Sequence, residues 1–183
     1  MVTYRGLTRR STRTTAGGLS PARRLPVSLL RLAFVASVAH IFLASTRGAP
    51  MTSVASVEAL TDGGLSGDRY AEAKNRRAPD YQVTLIELEN IEAFVSETGL
   101  PLAPGQPRRN IVTSGVNLNL LCGKRFRIAA AVFEGLELCE PCSLFAKRTH
   151  REILKFFVEK GGLRARIVAG GHFHVGDRVI ADA

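Results

Sequence analysis

From about Phe34 onward, apolar and polar positions fall into short, well-separated blocks. "VAHIFLAS" is a largely apolar run closed by the turn-forming "TRGAP", the pattern of a first strand. "TSVASVEAL" spaces Val54, Val57 and Leu60 among small and polar residues and stops at Asp62-Gly63-Gly64, which predicts a second strand and a tight turn. "GLSGDRY" is a short polar loop with two glycines, and "AEAKNRRAPDY", polar and carrying Pro79, predicts a long exposed loop. "QVTLIE" reads as a strand running straight into a helix over "LENIEAFVSETGL". There Leu88, Ile91 and Phe94 or Val95 recur at helical spacing and Gly99 ends the run.

Beyond the Pro-rich "PLAPGQP", the stretches "RRNIVTSG", "KRFRIAAAVFEGLEL" and "RARIVAGGHFHVGDRVI" place β-branched or aromatic residues at strand-like positions. Between the last two, "THREILKFFVEKGG" predicts a second helix: Ile153, Leu154, Phe156 and Phe157 form a broad apolar face and Gly161-Gly162 stops it. Six or seven strands and two helices without βαβ alternation predict a mainly antiparallel sheet or barrel with two packed helices, not a doubly wound fold.

Charge changes the picture only at the N-terminus. The formal net charge is +9, yet residues 1–47 hold eight arginines, no lysine and no acid, so 17 basic residues face 16 acidic ones in the remainder. Residues 1–33 therefore read as an Arg-rich, disordered extension, and residues 34–183 as one domain. The basic start followed by "LAFVASVAHIFLAS" has the layout of a targeting peptide, but Arg31 abuts the run, His40 interrupts it, and it is too short to cross a bilayer. The body shows neither zinc-finger spacing nor an aromatic RNA-binding motif, so neither nucleic acid nor membrane is expected as its working partner. Three cysteines, odd in number and sparse, point to reduced thiols and a cytoplasmic setting.

Candidate chemistry centres on "LCEPCSLFAKR", which holds Cys139 and Cys142. A redox dithiol of this spacing expects a βαβ context that the chain lacks. Zinc needs four ligands, and the available completion is His172 and His174 in "GGHFHVGD", which strand alternation puts on one face. A single reactive thiolate suits Cys142, where Pro141 favours an exposed turn and Lys147-Arg148 follow. Thiolate is also the soft ligand that suits molybdenum, copper or an iron–sulfur centre. The remaining reading makes both cysteines small buried hydrophobes. Cys122, in "LNLLCGKRF", reads as structural.

Taken in order, "GLSGDRY", "QVTLIE", "PLAPGQPRRNIVTSGVNLNLLCGKRFRI", "AVFEGLELCEPC" and "GGLRARIVAGGHFHVGDRV" resemble the MOSC domain, the family named for the C-terminal domain of molybdenum-cofactor sulfurases. The likeness runs from Val38 to Ile180 and is to the small, stand-alone bacterial type. It implies a β-barrel-like fold with helices. It also implies a functional cysteine that ligates the molybdenum of a pyranopterin cofactor or carries sulfur as a persulfide. Cys142, preceded by Pro, matches that position, with Cys139 the second candidate.

The resemblance implies that the cofactor's anionic end is held by Gly67 and Arg69 of "SGDR" and by Arg109 and Asn110 of "RRN", since Arg forks and Gly-rich turns suit phosphate. The implied activity is an oxidoreductase acting on N-hydroxylated compounds and served by an electron-donor protein. Its rivals are a non-catalytic carrier that passes sulfur or cofactor to an acceptor protein, and a zinc-stabilised binding domain. Larger members carry a pyridoxal-phosphate domain; that cofactor is not expected in this chain. Two places depart from the family pattern: Ala129-Ala130 stands where a Gly-containing turn is usual, and His172 and His174 stand where smaller residues are commoner.

Overall fold

A computed structural model describes residues 35–76, 78 and 80–182; the extension expected over residues 1–33 lies outside them. The strands are β1 (Ser37–Leu43), β2 (Thr52–Val54), β3 (Ser56–Ala59), β4 (Val83–Glu87), β5 (Ile111–Ser114), β6 (Arg125–Ile128), β7 (Ala131–Leu138), β8 (Leu163–Ala169), β9 (Gly171–His174) and β10 (Val179–Ala181). The helices are α1 (Leu88–Thr98), α2 (Ser143–Arg148) and α3 (Ile153–Phe156).

Eight strands form one sheet in the order β10-β6-β7-β8-β4-β5-β1-β2, and β3 pairs with β9 in a second, two-stranded sheet. Among the described strands only β4 and β5 run parallel, joined by α1 as the crossover; the other pairings are antiparallel. The barrel expected from the family resemblance is corrected here. The large sheet has two ends, β10 and β2, and is not closed. β1 approaches the segment before β10 through the single bridge Ser37–Arg178, with the Val38 and Val179 amides donating to Asp177 and Ala36 carbonyls. That link is too short to make a ladder.

The parallel pair explains the apolar run "QVTLIE". All five residues of β4 are buried because the strand is covered on both faces, as parallel strands generally are. Val83 and Leu85 enter the larger core with Ile111, Phe126, Phe133, Ile167 and Phe173. Ile86 points the other way, joining Val112, Ile91, Phe94, Phe145, Ile153 and Phe157 beneath the helices. Each fully buried Phe contributes about 1.5–3 kcal/mol. Helix α1 ends where Gly99 takes the left-handed conformation at φ 70°, its amide donating to the Val95 carbonyl.

The second predicted helix shrinks to the single turn α3. Ile153 and Phe157 are buried but Leu154 stays exposed, so its apolar face is narrower than the sequence suggests.

Candidate functional site

The segments around Arg47, Arg69–Arg76 and Arg108, together with helix α2, build a cleft of about 890 Å³, lined by Arg47, Arg69, Tyr70, Lys74, Arg76, Arg108, Leu144 and Arg148 among others, with no carboxylate among the described lining residues. A buried acid anchors it from behind. Asp68, 4% exposed, accepts from the Ala44 amide at 2.8 Å, the Tyr70 amide at 3.0 Å and the Asn110 side-chain amide at 3.1 Å. The Asn110 carbonyl oxygen accepts in turn from the Thr84 amide and hydroxyl, and its NH₂ also reaches the Phe42 carbonyl. One polar knot thus ties together the end of β1, the "SGDR" loop, β4 and the start of β5. Gly67, at φ 82°, makes the turn that feeds Asp68 inward and leaves Arg69 facing the cleft.

The predicted residues separate into two groups. Gly67, Arg69 and Asn110 belong to the cleft and the knot behind it. Arg109 instead donates from Nε to the Gly161 carbonyl at 2.9 Å and from Nη1 to the Pro107 carbonyl at 3.1 Å. That loop is the one against which Cys139 packs, its amide donating to the Gly162 carbonyl at 2.7 Å. Arg109 therefore stands beside Cys139.

Arg108, the first arginine of "RRN", forms part of the cleft wall. Its backbone takes φ 60°, Nη1 donates to the Ala49 carbonyl at 2.7 Å, and Nη2 is buried with no hydrogen-bond partner. Burial lowers the Arg108 pKa, and the positive charges of Arg148 and Arg69 lower it further. Arg47 and Arg76 carried no signal in the sequence, and Arg148 stood out only as a charge following Cys142. Their segments lie far apart in sequence, and only the topology joins them. A shallower hollow of about 400 Å³ shares Arg108 and Arg148 with the cleft and adds Phe42, Met51 and Gln106.

The two cysteines of the C-x-x-C differ sharply. Cys142 is exposed at the start of α2, a helix whose Leu144 and Arg148 line the cleft. Cys139 is 1% exposed, and burial pushes its thiol pKa up, with the Arg109 charge opposing. Brief alkylation at mildly alkaline pH should therefore label Cys142 and the exposed Cys122. Cys139 should react at least about tenfold more slowly. Peptide mass spectrometry reads this directly, and equal labelling of all three would contradict it. Cys122, expected to be structural, is exposed and donates weakly to the Leu136 carbonyl at 3.4 Å.

The zinc expectation is corrected. His172 and His174 share the outward face of β9, but they lie near Glu58 and Asp177 rather than the cysteines. Among the described residues no group of three or more His, Cys, Asp and Glu converges on a metal position. The expectation of molybdenum-ion binding finds no support in such a cluster either: the described side chains alone do not build a metal centre.

A second polar hollow, about 420 Å³, lies by α1 and includes Glu87, Glu89, Asn90, Asn119 and Lys160. Glu87 accepts from the Leu118 amide and the Asn90 side chain, yet burial outweighs both and raises its pKa from the ordinary 4.5. A raised carboxyl pKa means that the folded state holds its proton more tightly than the unfolded chain. Its contribution to stability is thus greatest below the unfolded value and is lost as pH rises through the folded one. Glu87→Gln should therefore be more stable than the parent at pH 7–8, with the gap closing below about pH 4.5. Urea denaturation across that range is the check, and a gap that widens in acid would refute it.

The family is shown by direct comparison. A family model for the MOSC domain matches residues 72–180, and the chain belongs to that family. Its fold is similar to that of the YUAD protein of Bacillus subtilis, with a TM-score of 0.68 at 16% identity over 79% of this chain and 94% of that one. YiiM from Geobacillus stearothermophilus aligns with a TM-score of 0.62 at 16% identity, covering 81% of this chain and 75% of that one. YiiM from Escherichia coli gives 0.60 at 18%, covering 80% and 70%. No curated protein matches the sequence. No helix among the described residues is long and apolar enough to cross a membrane.

Proposed function

We propose that the chain binds the pyranopterin molybdenum cofactor, with the arginines of the cleft at its phosphate end and Cys142 as the thiolate toward the metal. The observation that carries the reading is the cleft itself: five arginines and a lysine line it, with no carboxylate among the described lining residues. The residues fit such a group in two further respects. Arg108 keeps a buried guanidinium nitrogen without a partner in the cleft wall. The exposed Cys142 thiol stands two residues before the cleft-lining Leu144. A single soft thiolate suffices because the pterin brings its own sulfur ligands to the metal.

When bound, the cofactor supplies two-electron redox chemistry or transferable sulfur at molybdenum. The chain's own residues do the rest. Arg69, Arg108 and Arg148 bind the phosphate through charge-assisted hydrogen bonds. Gly67 and Asp68 aim Arg69, and Asn110 holds Asp68 in place. Arg109 props the Gly161 loop against Cys139, which makes both of them positioning residues in this reading. In its finer form the protein is an oxidoreductase that reduces N-hydroxylated compounds and draws electrons from a donor protein. A second reading, a carrier that hands sulfur or cofactor to an acceptor protein, is favoured by the exposure of Cys142.

Expression in a host that makes the cofactor, followed by metal analysis of wild type, Cys142→Ala and Cys139→Ala, tests the cofactor reading. Near-stoichiometric molybdenum supports it. Neither molybdenum nor pterin in the wild type would sink a resident cofactor. Repeated turnover with an artificial reductant separates the enzyme from the carrier, which loads once and does not cycle.

A further inference from the structure

The helical segment that follows Cys142 presents a second surface, outside the arginine cleft. Phe145 and Ala146 of α2 turn inward, as do Ile153 and Phe157 at α3. The Phe145 and Phe157 rings lie 5.5 Å apart in the core that they share with Ile86 and Phe94. Both helices are thus seated on one core, and the residues they leave outside form one outer surface. Leu144, Leu154 and Val158 are 44–53% exposed there, although most large apolar residues of the described chain are covered. Leu144 stands one helical turn from Lys147, and Leu154 one turn from both Arg151 and Val158.

Residues 143–158 hold four basic residues against a single acid, Glu152. Arg148 turns to the cleft. Lys147, Arg151 and Lys155 are exposed, stand outside the cleft lining, and make no ion pair among the described residues. Open aliphatic side chains framed by uncompensated cations have the make-up of an interface whose other half carries carboxylates. An anionic membrane fits less well. Phe145 and Phe157 are buried and Phe156 is partly covered, with the Lys160 ammonium 4.6 Å from its ring centre, so no aromatic anchor is exposed on this face. Two short helices offer a small area, the size class of a transient protein encounter. Leu144 belongs to both the face and the cleft, and the exposed Cys142 stands at the start of α2, so a partner seated here lies beside that thiol.

We propose that the outer face of α2 and α3 is the docking surface for an acidic protein. Its carboxylates meet Lys147, Arg151 and Lys155, and its apolar side chains cover Leu144, Leu154 and Val158. That this partner exchanges electrons or sulfur at Cys142 rests on the reading of Cys142 as the working thiol; the docking itself rests on the face alone.

The test titrates the full chain, at low ionic strength, with two fluorescent helical peptides of equal length and leucine content. One carries glutamates at its polar positions and the other lysines, and anisotropy reads binding. The glutamate peptide should bind at least about tenfold more tightly. Replacing Lys147, Arg151 and Lys155 together by Ser should weaken it about tenfold. Leu154→Ser with Val158→Ser should weaken it about fivefold with the charge unchanged. Arg9→Ser, Arg10→Ser and Arg13→Ser together remove the same charge from the N-terminal stretch and should change little. An equal loss in that control, or no loss in the apolar variant, would reduce the binding to diffuse charge and overturn the proposal. Equal affinity for the two peptides, or none for either, would overturn it as well. Phosphatidylserine vesicles that bind through the same three cations, without a preference for the glutamate peptide, would give the face to a membrane instead. Metal analysis judges Cys142 separately: selective peptide binding by a chain that takes up no molybdenum would keep the docking face and remove only the partner's role at the cofactor.

Discussion

Cys142→Ala should lower bound molybdenum by about tenfold or more, and Cys139→Ala should keep most of it. The asymmetry follows from where the thiols sit. Cys142 is exposed at the start of α2, the helix whose Leu144 and Arg148 line the cleft, so its thiol is open to an approaching group. Cys139 is buried, and its low-dielectric setting opposes ionisation, so it is poorly suited to act as a thiolate. Truncating it to Ala removes a small buried side chain and should cost about 1 kcal/mol of stability rather than the metal. Cys142→Ser should resemble Cys142→Ala in metal content, because a hydroxyl is a harder and weaker ligand for this metal than a thiolate. Mass-spectrometric metal analysis of the four proteins decides it. Retention of molybdenum by Cys142→Ala with its loss from Cys139→Ala would exchange the two roles.

Where local chemistry and tertiary context agree, the elements are plain from the sequence. β4, α1 and β5 follow the apolar spacing of "QVTLIELENIEAFVSETGL" and "RRNIVTSG" because each residue pattern meets a matching buried face. The turn between β6 and β7 falls at Ala129-Ala130, the place where the family pattern has Gly; Ala129 adopts φ 51° with no Gly, Asn or Asp beside it to mark the turn. "TSVASVEAL" reads as one strand, whereas β2 and β3 pair in different sheets on either side of Ala55. At Gly170-Gly171 the chain turns between β8 and β9. There an added Cβ would meet Ala59, Ala130 or Ala131 backbone within 2.7–3.1 Å, a constraint set by neighbours remote in sequence.

The candidate site divides along the same line. The Gly and Arg of "SGDR" stand out as a motif, but the inward role of Asp68 and Asn110 depends on β1 and β4 supplying partners from across the fold. Arg148 reads in sequence as the tail of a basic pair. It becomes a cleft residue only because α2 packs through Phe145 and Ala146 and turns Leu144 and Arg148 outward.

Gly162→Ala should destabilise the domain by about 4 kcal/mol or more and sharply reduce the soluble folded yield. Gly162 precedes β8 at φ 101°, a conformation that residues with a Cβ rarely adopt. The added methyl would also fall far inside contact distance of the Leu85 carbonyl, in the central strand β4. That obstacle is backbone, so no rotamer change relieves it. Moving it would disturb the β4–β8 ladder, where Leu85 pairs with Leu163, and the bond from the Cys139 amide to the Gly162 carbonyl. Gly99→Ala isolates the conformational part of the cost. Gly99 also has positive φ, at 70°, but its added methyl would have no neighbour within 4 Å, so it should lose only about 1–2 kcal/mol. Urea denaturation measures both where protein can be recovered. In any folded Gly162→Ala, alkylation of Cys139 should accelerate, because the loop that covers it is the one displaced. Similar losses from the two substitutions, with Cys139 still protected, would mean that β4 and the start of β8 have room to separate at Leu85 without opening the core.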